Sequence, residues 1–122
     1  MGNYLSREEI LGSTIQTRDV EAFGGIVCVR EVDALTMQDM LEKGALVERP
    51  DGSSSVDLGK IDMIGMARKC IVDPDDPEKP ILNRGDVEKL AKKGYVGILN
   101  VVVAAMEASG LDVEEDENAE KN

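Results

Sequence analysis

Between Tyr95 and Met106 only one side chain, Asn100, is strongly polar. A helix over this stretch is apolar around nearly its whole circumference, and a helix with no wet face must be covered on every side. In a chain of 122 residues few helices can be surrounded entirely by their own sequence. Two arrangements satisfy the constraint. Either this is the central helix of the domain, or part of its surface is shared with another subunit or client; both can hold for opposite sides of one helix. The longest unbroken apolar run, Val101 to Met106, is far too short to span a bilayer.

Charge and composition narrow the function. The chain carries 25 acidic and 14 basic residues and no histidine, for a formal net charge of −11. Such a surface repels phosphate backbones, so no nucleic-acid partner is expected. Without histidine, Ser-His-Asp and Cys-His nucleophile pairs and imidazole-dependent zinc sites are excluded. No paired carboxylates, glycine-rich phosphate loop or activated nucleophile stands out, so neither catalysis nor a cofactor is expected. Cys28 and Cys70 lie in apolar runs 42 residues apart, which suits buried small hydrophobes in a reducing interior rather than a metal site. The opening residues have no basic segment followed by an apolar one, so no secretory signal is expected. Met1-Gly2 with Ser6 matches a myristoylation pattern in form, but nothing polybasic follows, and no membrane partner is expected.

Local patterning predicts an α+β fold: an N-terminal β-hairpin packed on three to four α-helices, with residues 1–111 as one domain and 112–122 as an acidic, disordered tail. Ser6 and Glu9 form a capping box for a short helix that Gly12 ends, and this helix should cap the domain. Alternation and β-branched residues around Gly24-Gly25 predict strands near residues 16–22 and 26–32, with Phe23 at the tip, folded over the core edge or facing a partner. Leu35, Met37, Met40 and Leu41 predict a helix from Asp33 to Gly44. Residues 48–57, rich in Pro, Gly and Ser, read as loop. Asp57 can cap a helix to Val72, with Leu58, Ile61, Ile64, Ala67 and Ile71 on one face, as the main core helix. Pro74, Pro77 and Pro80 make residues 73–80 a rigid acidic turn; an EF-hand reading fails because Glu78 and Arg84 stand where Gly and Glu are required. Asn83 can cap a helix containing Asp86 to Lys93, acids first and lysines last. The tail holds six acids and one lysine in its eleven residues.

The order of these pieces resembles the tail assembly chaperones of long-tailed bacteriophages. Leu5-Ser6-Arg7-Glu8-Glu9-Ile10-Leu11 comes first, then Gly24-Gly25 leading into Val27, Val29, Arg30 and Glu31. Asp86-Val87-Glu88-Lys89-Leu90 with Gly94, the apolar stretch, Ser109 to Asp112, and a closing Ala119 to Asn122 follow. Each piece alone is ordinary capping or turn chemistry. The chain departs from the pattern at Phe23, where many relatives carry Trp, and at Pro74 and Pro77 in the acidic turn.

The resemblance implies a non-catalytic holdase in the host cytoplasm that coats the hydrophobic tape-measure protein, with the tail-tube protein as a second client. It also implies that the protein leaves the finished particle, and that it self-assembles or assembles with a longer, frameshifted form. The expected partner-binding residues are Val96, Leu99, Val102, Val103 and Met106, together with Phe23, Met63 and Met66; Leu35, Met37 and Met40 are further contributors to an apolar groove. Methionine repacks easily, which suits a binder of varied helices. The rival readings are a structural virion component, such as a tail-completion or connector subunit, and an acidic mimic of nucleic acid.

Overall fold

The computed structural model describes residues 4–113. It is α+β, with the N-terminal hairpin packed on helices as the patterning predicts. That hairpin pairs β1 (Thr17–Ala22) with β2 (Gly25–Arg30). The pairs Val20↔Val27 and Ala22↔Gly25 set the register. The turn is Phe23-Gly24, with φ of 57° and 81°, rather than the Gly-Gly pair. Two positive φ values give the mirror-image turn whose twist matches the strands. Moving the turn by one residue would rotate Val27 and Val29 off the core face, so burial decides against the easier Gly-Gly turn.

The Pro-rich segment is shorter as a turn than its composition suggests. β5 (Ile71–Asp73) pairs with β2 through Val29↔Ile71, and β6 (Asp76–Pro80) folds back on β5, giving the sheet order β1-β2-β5-β6. Only the tight connection from Asp73 to Asp76 turns, closed by the Asp75 amide donating to Asp73 Oδ1 at 2.9 Å. Pro77 and Pro80 are accommodated because β6 is an edge strand.

Of the expected loop at residues 48–57, positions 49–53 form a connection, while Glu48 and Ser54–Val56 belong to a second sheet. β3 (Leu46–Glu48) pairs with β4 (Ser54–Val56), and β7 (Asp112–Val113) lies parallel to β4. The Pro and Gly mark only the connection, where Asp51 accepts from the Ser53 amide at 2.9 Å. Buried Ala45 and Val56 anchor the ladder. Residues 112 and 113 are thus strand rather than tail; the rest of the expected tail lies outside the described residues.

The predicted helix from 57 to 72 divides. Asp57 accepts from the Gly59 amide and starts a 3₁₀ turn over Leu58–Lys60, and Asp62 accepts from the Gly65 amide and starts α3 (Met63–Cys70), after which the chain enters β5. Two Asx caps five residues apart interrupt what reads as one apolar period. The N-terminal capping box forms, with the Glu9 amide donating to Ser6 Oγ at 3.2 Å and the Ser6 amide to Glu9 Oε1 at 3.1 Å. Yet α1 (Arg7–Leu11) buries none of its residues, so it does not cap the domain.

Helix α2 (Ala34–Glu42) starts at Asp33, whose carboxylate accepts from the Thr36 amide at 2.7 Å, and buries Met40. Helix α4 (Val87–Leu90) is a single turn after a 3₁₀ segment over Arg84–Asp86, and buries Leu90. Asn83 stands at the N-cap of the 3₁₀ segment, as expected, and Asp86 Oδ2 reaches back to accept from the Asn83 amide at 2.9 Å. The central helix is α5 (Tyr95–Ala108), lying against β1, β2 and α3.

Candidate functional site

Burial along α5 divides the helix lengthwise. Ile98, Val101, Val102, Ala104, Ala105 and Met106 are buried, so most of its C-terminal part is enclosed by its own chain. Its first turn is open: Tyr95 is 64% exposed and Val96 66%. Leu99 and Val103, one and two turns further along that stripe, are half-buried. The central-helix reading therefore holds for the C-terminal part of α5, while its first turn is left uncovered by the described residues.

Phe23 borders the open turn. Its ring is 42% exposed, with its inner face against Gly97, where a Cβ would stand 2.8 Å from Phe23 Cε1 and 2.9 Å from Cδ1. Only a glycine admits the ring at this depth. Asn100 Nδ2 donates to the Glu21 carbonyl at 3.4 Å, so the one polar side chain of the stretch ties α5 to the hairpin. On the other flank the Tyr95 hydroxyl lies 4.0 Å from Met63 Sδ, which brings half-buried Met63 to the patch margin. Lys92 and Lys93, both exposed, precede Gly94, the N-terminal cap residue of α5 before Tyr95. The result is a shallow apolar surface of Phe23, Tyr95, Val96 and Leu99 with a basic approach on one side. It can seat a few apolar side chains of a partner.

Three expected contact residues are elsewhere. Val102 and Met106 are fully buried, and Met66 nearly so, all within the core. Met40, expected to help line a groove, is likewise buried in the core, whereas Leu35 is exposed on α2. Position along the helix explains the error: Met106 lies two turns beyond Leu99 on the same stripe, but in the C-terminal part of α5 that the chain encloses. Tyr95 is the residue of this exposed patch that sequence reasoning left out. Its signal was positional, an aromatic one residue inside a helix start where first-turn side chains have least cover. Exposed Ile26 sits opposite Glu21 on the outer face of the hairpin, away from this patch.

A separate cavity of about 250 Å³ lies between α2, α3 and the β2–β6 side of the sheet, lined in part by Arg30, Asp33, Lys69, Cys70 and Glu78. Its two cations face two carboxylates. Burial opposes ionisation of Asp33, but the Thr36 amide and hydroxyl, with Arg30 and Lys69 nearby, prevail and hold its carboxyl below the ordinary value. Burial pushes the Cys70 thiol up to about 11, which keeps it protonated and unreactive. No family model, curated protein or solved structure matches this chain.

Proposed function

We propose that the protein is a non-catalytic holdase of the phage tail-assembly-chaperone type. Its client is the tape-measure protein, with the tail-tube subunit as a second client. The motif order suggests the client class. The observation that carries the reading is the uncovered first turn of α5 beside Phe23, a small apolar surface on a strongly acidic chain.

The magnitude of the surface fits the task. Covering what remains exposed of Phe23, Tyr95 and Val96 removes about 250 Å² of largely apolar surface, worth roughly 6 kcal/mol before association costs. A single site of that size binds weakly and releases readily. A long helical client offers many such sites, so occupancy comes from many copies acting along one chain. The excess carboxylates keep the uncovered protein dissolved and favour basic client segments.

Co-expression with a tape-measure protein tests this. The wild-type chain keeps the client in the soluble fraction, and Val96→Asp, at an exposed position, loses that effect while remaining folded. A folded Val96→Asp variant that solubilises the client as well as wild type removes α5 as the binding surface. Stoichiometric presence of the protein in purified particles would support the structural-component reading instead.

A further inference from the structure

The cavity between α2, α3 and the β2–β6 side of the sheet is assembled by strand register and short connections. The pair Val29↔Ile71 puts Arg30, the last residue of β2, beside the C-terminal end of α3, where Lys69 and Cys70 stand. Soon after Arg30 the chain reaches Asp33, the cap of α2, and Thr36 in its first turn. Glu78 arrives from β6, which folds back on β5. The floor is apolar, since Val32, Met66 and Cys70 are all buried.

Four charges line this space and sum to zero: Arg30 and Lys69 against Asp33 and Glu78. Opposite charges around one small cavity ordinarily pair, yet among the described residues no ion pair joins any two of them. Two are held by their own neighbours in the chain. The Arg30 Nε–H donates to the Glu31 carbonyl at 2.8 Å, and Asp33 Oδ1 accepts from the Thr36 amide at 2.7 Å. Those bonds set the direction of each side chain and keep guanidinium and carboxylate apart. Their fields still meet, because Arg30 and Lys69 help to hold the Asp33 carboxyl below its ordinary value.

The charge balance selects the ligand. A simple anion or cation satisfies one pair and faces the other with like charge, whereas a zwitterion meets both. The volume, about 250 Å³, falls below the roughly 300–1,000 Å³ of drug-sized sites, which limits the occupant to a molecule of amino-acid size. We infer that this cavity binds a free α-amino acid with an apolar side chain. Its carboxylate is taken by Arg30 and Lys69, its ammonium by Asp33 and Glu78, and its side chain rests on Val32 and Met66. Because the rim is open to water, each charged contact contributes modestly and binding is weak. None of the lining residues belongs to α5, so the site is independent of the proposed function.

Titrating the isotope-labelled full chain with L-leucine at constant ionic strength tests the site. The expected result is a saturable set of amide shifts centred on Arg30, Thr36, Lys69, Cys70 and Glu78, with a Kd of about 1 mM or below. Leucine amide, which lacks the carboxylate, and isocaproate, which lacks the ammonium, each bind at least about tenfold more weakly. Lys69→Met and Glu78→Gln, both at exposed positions, each weaken L-leucine about threefold or more and leave the melting curve unchanged. No saturation by about 20 mM, an analogue that binds as tightly as L-leucine, variants that bind as wild type does, or shifts centred away from the cavity would each overturn the inference.

Discussion

Phe23 and Gly97 fit together as ring and gap: the aromatic at a left-handed hairpin turn lies where the side chain of any other residue at position 97 would begin. Two residues unfavourable in isolation, a phenylalanine at φ 57° and a glycine inside a helix, are explained by one contact. Gly97→Ala should therefore destabilise the fold by about 1–3 kcal/mol through overpacking, although alanine is the better helix former. In a Phe23→Ala background the same change should turn neutral or stabilising, by up to about 1 kcal/mol. Chemical denaturation of the four members of this double-mutant cycle measures the coupling.

Asp33 predicts an acid-sensitive term. Its carboxyl is held below the ordinary value of 3.8, so the folded state takes up that proton less readily than the unfolded chain does. The stability it contributes is complete above that ordinary value and is lost as pH falls through the lowered one. Asp33→Ala should cost about 1 kcal/mol at neutral pH through loss of the α2 cap. The gap to wild type should close in the most acidic part of a denaturation series.

The two thiols should separate kinetically. Cys70 is buried, with its thiol pushed up to about 11, whereas Cys28 is half-buried on β2. Alkylation of the native protein at neutral pH should modify Cys28 first, and Cys70 only at the rate of unfolding. Peptide mass mapping over time distinguishes them, and equal rates would contradict the packing of α3.

Local chemistry made much of this fold legible in sequence. The Ser6–Glu9 box and the Gly44 stop are readable because each depends on residues within one turn of one another. The hairpin was legible, but its turn was off by one, since burial of Val27 and Val29 selects Phe23-Gly24 over a pair better suited to turning. The errors at residues 48–57 and 57–72 have a common cause. Ser54, Ser55 and Val56 become strand only because β3 and β7 pair with them, and Leu58 to Ile71 look like one helix until the Asp57 and Asp62 side chains are seen capping separately. For the candidate site, an apolar helix was evident but its open end was not. Which part of α5 is left open depends on β1, β2 and α3, so Val102 and Met106 could not be told from Val96 by pattern alone.

The chain has no tryptophan, so Phe23→Trp places a single fluorophore at the edge of the proposed surface. Titrating this variant with an amphipathic helical segment of a tape-measure protein tests the central claim most directly, because the reporter sits where the client should land. The account predicts a saturable blue shift in emission that Val96→Asp abolishes without altering the melting curve. An emission spectrum unchanged by a segment that this variant keeps in solution would contradict it, and would place the client elsewhere on the molecule.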